Sequence, residues 1–383
     1  MSKRVKYFDK QDLNDIFNGV VLLASGGGGS KVNGADLMKD IFTYADKVPY
    51  ISHKNIKKNE YAPVLAAMGA PDAFKKVGFD NAPKNSLLLH QTSIQKNFMS
   101  SGHSKEFTFD YTIPVESGVI AFFMSMLVSV QEKLPIVDGD GGGRAFPSLA
   151  MCTFAADNVS VSPAALVSEA SVSDGGTSLM FNQNESSKID DITRQIIGTS
   201  GFNDVSSLSS FCMDGETIKK SVVPETITRA RKLGKLIRET DGNPLNAVLK
   251  FLGAKLLFSG KVTSISEITR DGFDFGTVDI KNPKSKAIAT VCNQNENLIA
   301  WSNDCSEPLA MAPDSICYMD NKGKTYSNAD LVEGQFVYLI GIPAVKEIQN
   351  DYFRTIFDTT LKSLGYYGPY VPVEKLICSK RKK

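Results

Sequence analysis

The stretch that decides the fold runs from Phe107 to Arg144 and reads FTFDYTIPVESGVIAFFMSMLVSVQEKLPIVDGDGGGR. Its first part, Phe107 to Val115, alternates and is rich in β-formers, which predicts a strand. Glu116-Ser117-Gly118 breaks it, and Val119 to Glu132 is apolar enough to predict a buried helix. Lys133-Leu134-Pro135 then leads into Ile136-Val137, a second strand ending at Asp138. Strand, helix and strand joined by short turns make a βαβ unit, so the expectation is an α/β N-terminal domain with a mostly parallel sheet.

In such sheets ligands sit beyond the carboxyl ends of the strands. Connectivity therefore places Glu116 and Asp138 on one sheet edge. The segment Asp138-Gly139-Asp140-Gly141-Gly142-Gly143-Arg144 adds a second carboxylate and a guanidinium within seven residues. Its glycines permit sharp turning and close backbone approach. Two carboxylates there could share a proton, orient a water or ligate a hard metal ion, and Arg144 could hold a carbonyl or carboxylate. The competing reading is a structural turn in which Asp and Arg pair with each other. Glu116 also has a plain explanation, because a carboxylate near a helix N-terminus is stabilised by the dipole without any catalytic role.

Outward from this centre, Lys10 to Leu23 carries Leu13, Ile16, Phe17, Val20 and Val21 at helical spacing. It ends at Ser25-Gly26-Gly27-Gly28-Gly29-Ser30, and a second helix is expected over 35–47. The tetraglycine lacks the Lys-Ser/Thr ending of a phosphate loop and follows a helix, so no nucleotide is expected. Close approach to a small ligand or to another domain is the reading for Gly27 and Gly28. Ala62 to Met68 predicts a strand ending in Gly69-Ala70-Pro71-Asp72. Short strands are expected within 171–183, and helices over 190–197 and from Pro224 to Arg238. From Lys255 to Ile342 the pattern is mostly strand, with Asp-Gly, Asn-Pro and Asn-Lys-Gly turns, so the second domain is expected to be mainly β. The expected division is 1–165 and 166–383. Asn293-Gln294-Asn295-Glu296-Asn297 follows one of these strands and suits either amide recognition or a turn.

With 383 residues, two cores are affordable. Lys+Arg and Asp+Glu nearly cancel at 43 and 42, which argues against nucleic-acid binding by phosphate neutralisation. The six cysteines form no C-x-x-C pair, and they are read as free thiols in a reducing compartment. The N-terminus lacks a secretory pattern, and the longest apolar run is too short for a membrane span, so a cytoplasmic protein is expected. His53, His90 and His103 are not spaced for metal binding, and their plain reading is surface or satisfied polar residues. Cys152 reads as core, and no G-x-S-x-G elbow is present.

Taken in order, these segments resemble the S-methyl thiohydantoin desulfurase-like family. The resemblance is carried by Gly26–Gly29, Met68-Gly69-Ala70-Pro71 and, above all, Asp138-Gly-Asp-Gly-Gly-Gly-Arg-Ala-Phe-Pro147. Farther on it includes Phe258-Ser-Gly-Lys-Val262, Gly272-Phe-Asp-Phe-Gly276, Asn295-Glu-Asn-Leu-Ile-Ala300, Pro313-Asp314 and Gly365-Tyr-Tyr-Gly-Pro369. It implies an α/β domain joined to a mainly β domain, and hydrolytic chemistry on a hydantoin-like or S-methyl-thiohydantoin-like ring at a site between them. Glu116, Asp138, Asp140 and Arg144 are then the catalytic candidates. Gly27, Gly28, Gly69, Gly118, Asn295 and Glu296 are the substrate-binding candidates, and Asp138 and Asp140 would hold a divalent metal if one is used. The alternative is a non-catalytic binding or assembly subunit beside a hydantoinase-type partner. A homo-oligomer is expected, with no membrane or nucleic-acid partner. Three positions depart from the pattern: Ser117-Gly118-Val119 loses a glycine, Ser30-Lys31-Val32 replaces Asp-Pro, and Gly142 replaces methionine or alanine.

Overall fold

The computed structural model describes residues 5–69, 74, 78–100, 106–169, 176–202, 204–270 and 273–376. Ala70 to Asp72, His103, Asp174, Gly175, Gly272, Cys378 and the basic C-terminal run lie outside these residues. The chain divides into two compact units. The first comprises Met1–Leu13, Val32–Gly142 and Ser148–Ile227, and the second Asn14–Lys31, Gly143–Pro147 and Thr228–Lys383. The segment after residue 165 supplies strands to the first unit's sheet.

The elements up to residue 227 are β1 (Val5–Phe8), α1 (Lys10–Leu23), α2 (Lys31–Tyr44), β2 (Val48–Ser52), β3 (Tyr61–Gly69), α3 (Ala82–Ser100), β4 (Ile113–Pro114), α4 (Val119–Glu132), β5 (Ile136–Asp140), β6 (Ala164–Ser168), β7 (Ser178–Phe181), α5 (Ser186–Ile197), β8 (Val205–Asp214), α6 (Gly215–Ser221) and β9 (Val223–Pro224). In the first unit the strands form a four-stranded sheet, β1-β2-β5-β9, and a five-stranded sheet, β4-β3-β8-β6-β7. Among the described residues of this unit only the strand pairs β2–β5 and β3–β4 are parallel, and the remaining strand pairs are antiparallel. The sheets are thus mixed rather than mostly parallel. The βαβ unit is present: α4 links β4 to β5, and Thr112 bridges Ile136 in parallel.

Helix α4 runs over the predicted residues because it is apolar on every side. Val119 to Val130 is buried without interruption, as expected of a helix enclosed by protein on all faces. The predicted strand over 107–115 shrinks to β4 for an equally local reason. Side chains intercept its main-chain donors: Phe109 N–H donates to Gln91 Oε1 at 2.9 Å, and Phe107 N–H to Gln95 Oε1. The reciprocal Tyr61 N–H donates to the Asp110 carboxylate at 2.9 Å. Backbone groups satisfied by side chains have no need of a ladder.

The remaining elements are α7 (Thr226–Glu239), α8 (Leu245–Leu252), β10 (Lys255–Arg270), β11 (Phe273–Lys281), β12 (Ile288–Gln294), β13 (Glu296–Ser302), β14 (Ala310–Met311), β15 (Ser315–Met319), β16 (Thr325–Tyr326), β17 (Phe336–Ile342) and α9 (Asp351–Ser363). The strands make one antiparallel sheet in the order β14-β13-β12-β11-β10-β17-β15-β16. Alternation along β12 turns Ala289 and Val291 inward, where they meet Val262, Ile280, Ala300, Ile316, Tyr318 and Leu339 in one core. In the same unit the second part of α1 crosses α7 at a close approach. A Cβ on Gly19 would stand 1.9 Å from Ala230 O, and one on Gly234 1.8 Å from Asp15 O. Arg238 clamps the crossing by donating to both oxygens of the buried Asp15, at 2.8 and 3.0 Å.

Pro224 ends β9 instead of opening the helix predicted there, which starts at Thr226. Cysteine usage also departs from expectation. Cys152, Cys212, Cys292 and Cys317 are free, but Cys305 is disulfide-bonded. Among the described residues no helix is long and apolar enough to cross a membrane.

Candidate functional site

In the first unit the carboxyl ends of β4 and β5 gather most of the predicted acids. Gly141 N–H donates to Val115 O at 3.0 Å, which holds the turn after β5 against the Glu116-Ser117-Gly118 segment. Across that contact Ser117 Oγ donates to Asp140 Oδ2 at 2.5 Å. The other oxygen, Oδ1, accepts from Gly142 N–H at 2.8 Å, so the carboxylate closes its own turn. Asp140 and Ser117 are fully buried. Charge-assisted bonds of this kind are short and fix geometry. Ser117, directly after Glu116, is therefore what engages Asp140.

Gly118 caps α4 with extended backbone and no side-chain bond, leaving the helix N-terminus uncapped from its own side chains. Asp140 lies one hydrogen bond from the residue before that cap, where the dipole favours negative charge. Glycine is required at 141: a Cβ there would sit 2.6 Å from Val115 O and 2.7 Å from the Phe154 ring. Asp138 is buried beside Ser52 in the parallel register of β2 and β5, and its carbonyl accepts from Glu225 N–H at 2.9 Å. Glu116 is only half-buried, so of these three carboxylates it is the one solvent reaches most readily. Gly69 is the last residue of β3, where it pairs with Val205 of β8 and a Cβ would meet Asp204 O at 2.2 Å.

The other predicted residues belong to the second unit and form a different constellation. A Cβ on Gly27 would stand 2.1 Å from Glu296 Oε1, and one on Gly26 would stand 2.3 Å from Asn297 Nδ2. The Gly-rich loop is thus glycine because β13 side chains lie flush on it. Asn297 is the node: its N–H donates to Ser25 O at 2.7 Å, and its Nδ2 donates to Ile316 O at 2.8 Å. Asn295 takes a left-handed turn conformation, φ 57°, and exchanges 2.8 Å bonds with Asp274. Turn chemistry accounts for it. Gly28, at φ 71°, remains half-exposed in the loop.

Arg144 is 1% exposed. Nε donates to Ala145 O at 2.8 Å, Nη1 to Pro313 O and Asp314 O at 2.9 Å each, and Nη2 to Asn297 O at 3.2 Å. The guanidinium also lies over the Phe357 ring, 5.4 Å from its centroid. This is a cation holding main chain together within the second unit, and Asp140 and Arg144 belong to different units. Among the described residues no cluster of three or more His, Cys, Asp and Glu side chains is arranged to hold a metal ion.

Two family models cover nearly the whole chain. The S-Me-THD-like N-terminal domain matches residues 11–174 and the S-Me-THD-like C-terminal domain matches residues 183–373. The chain belongs to the S-Me-THD-like family. A crystal structure of a protein from Chromobacterium violaceum is similar to it at 29% identity, covering 96% of this chain and all of that one, with a TM-score of 0.82. The comparison with curated proteins found no match.

The sequence reading takes His53 as a surface or satisfied polar residue, and the structure makes it neither. This residue follows Ser52 at the end of β2, next to the strand position paired with Asp138. It is 8% exposed, and its Nδ1 is buried without a hydrogen-bond partner. Burial pushes its pKa down, with Lys54 and Lys219 acting in the same direction and Glu225 opposing them. A neutral imidazole therefore stands at the edge that also carries Asp138. The only sequence signal was position: His53 follows an apolar run, Val48 to Ser52, which is short enough to be overlooked as a strand.

Proposed function

We propose that the chain is a hydrolase-type enzyme acting on a hydantoin-like or S-methyl-thiohydantoin-like five-membered ring at the acidic strand edge of its first unit. The observation that carries this reading is the buried Asp140–Ser117 pair beside the N-terminus of α4, with half-buried Glu116 one residue away. For an S-methyl-thiohydantoin, water adds to the ring carbon that bears sulfur, and methanethiol leaves. The ring carbon gains a carbonyl oxygen, and the two protons of water end on ring nitrogen and on the thiol. Glu116 is assigned the proton transfers, because it is the accessible carboxylate. Asp140 orients Ser117, and Asp138 adds negative potential beside the neutral His53. Arg144 is assigned a positioning role, since its donors already engage main-chain carbonyls.

The test is turnover of purified protein with S-methyl thiohydantoin, thiohydantoin and hydantoin, following thiol release and ring absorbance, with and without a divalent metal. Product that disappears in Glu116→Gln supports the reading. Turnover unchanged in both Glu116→Gln and Asp140→Asn overturns it. The full burial of Asp140 favours one other outcome, saturable ring binding without product, which would make the chain a binding subunit beside a hydantoinase-type partner.

A further inference from the structure

The segment that follows the Gly-rich loop carries a cluster that the acidic edge does not use. Lys31 is the first residue of α2, in the place where the family pattern has Asp-Pro. Its side chain is half-buried, and Nζ lies over the Tyr326 ring at 5.6 Å from the centroid. Lys324 Nζ lies over the same ring at 5.2 Å. The tyrosine hydroxyl donates to Asp320 Oδ2 at 2.9 Å. Asp330 is close by, but its carboxylate is taken up by the Lys31 main-chain N–H at 3.3 Å and by Ser327 Oγ at 2.7 Å. No ion pair or hydrogen bond engages Lys31 Nζ among the described residues.

Several influences therefore act on one amine. It is partly withdrawn from water, it has a second ammonium as neighbour, and it occupies the first turn of a helix, where the dipole disfavours a cation. Against these, the Tyr326 ring face and the carboxylates of Asp330 and Asp320 favour the charged form, yet neither carboxylate forms a direct pair with Nζ. We propose that Lys31 is a nucleophilic amine that takes a small aldehyde or ketone as a Schiff base. In that step Nζ attacks the carbonyl carbon and the carbonyl π pair moves to oxygen. The carbinolamine then loses its hydroxyl as water: one amine proton reaches the oxygen during addition, and the second reaches the departing hydroxyl as the C=N bond forms, leaving a neutral imine. No oxidant or reductant is needed. A desolvated lysine next to another cation is a recurrent way of keeping such an amine neutral.

The balance of these influences is consistent with a pKa lowered to about 8, with desolvation the largest cause and Lys324 adding to it. At pH 8 about half of such an amine is neutral, against well under one per cent of an ordinary lysine, a ratio on the order of 100. Partial burial and lower intrinsic basicity reduce this, leaving an expected preference of at least ~10-fold.

The experiment incubates the full chain with glyoxylate and cyanoborohydride over pH 6 to 10.5 and maps reduced adducts by peptide mass spectrometry. Lys31 is expected to be modified at least ~10-fold faster at pH 8 than Lys346, whose side chain is 86% exposed. Its rate is expected to level off above pH 8, and the inflection is expected to move upward in Lys324→Gln. Modification of Lys31 no faster than that of Lys346, or a Lys31 rate that rises without inflection to pH 10, overturns the proposal. The measurement is made on the unaltered protein and needs no ring substrate, so it stands or falls apart from the hydrolytic reading.

Discussion

Acidification should weaken the first unit through His90 by an amount that the structure sets. His90 is completely buried on α3, with Nδ1 2.9 Å from Ser209 Oγ on β8 and its ring edge-on to Phe109. Nε2 is buried without a partner, so an imidazolium would have one N–H in apolar surroundings. Burial pushes its pKa down from 6.5 to about 3. The unfolded chain therefore binds a proton near pH 6.5 that the folded chain refuses until about pH 3. Stability from this group is complete above pH 6.5 and declines as pH falls toward 3. Between pH 7 and pH 5 the loss is about 2 kcal/mol.

The assay is urea unfolding followed by circular dichroism at both pH values, for the wild type and for His90→Leu. The variant loses the Ser209 bond at every pH, which shifts its stability by a constant. His53 also has a lowered pKa and titrates in the same sense, but it is present in both proteins and cancels in the difference. The wild type should lose about 2 kcal/mol more than the variant between pH 7 and 5. Equal losses, to within about 0.5 kcal/mol, would refute the reasoning, as would an NMR titration placing the His90 pKa above 6.

Other perturbations test different parts of the molecule. Gly19→Ala should destabilise the second unit by about 3 kcal/mol or more, since its Cβ would enter the Ala230 carbonyl and backbone cannot yield as a side chain can. A thermal melt reads this directly, and a loss under about 1 kcal/mol would mean that the helices separate freely. Arg144→Lys should cost about 2–4 kcal/mol, because a single ammonium cannot serve four carbonyls set out for a planar fork. Denaturant unfolding checks it, and wild-type stability would return Arg144 to the catalytic candidates. Ser117→Ala should cost about 1–3 kcal/mol by leaving a buried carboxylate oxygen without its donor. If the assigned reaction occurs, the same change should lower kcat more than it raises KM.

Legibility tracked how local the cause was. α4 was readable from Val119 to Glu132 because a helix buried on all sides is apolar on all sides, and α1 was readable because its apolar face recurs at helical spacing. β8 was not readable, since Val205-Ser-Ser-Leu-Ser-Ser-Phe carries serines where a strand pattern wants hydrophobes. For two of those buried serines α3 supplies partners, Ser207 bonding Ser86 at 3.0 Å and Ser209 bonding His90, whereas the Ser206 and Ser210 hydroxyls are buried without one. α3 is obscured for the same reason, with polar Ser86 and His90 on its buried face. Polar residues that satisfy one another across elements read as loop until their partners are known.

For the candidate site, the sequence by itself determined the family, the two-part architecture and the βαβ unit that delivers Glu116 and Asp138 to neighbouring strand ends. These follow from periodicity and connectivity, which need no partner. Only the tertiary structure decided that Ser117 engages Asp140, that Arg144 binds main chain in the second unit, and that the Gly26–Gly27 loop is moulded to Glu296 and Asn297. The physical reason is common to all three. A polar side chain acquires its role from the donor or acceptor it meets, and these partners lie 23 residues apart for Ser117, 169 for Arg144 and 272 for Ser25. Separations of that kind leave no trace in local spacing.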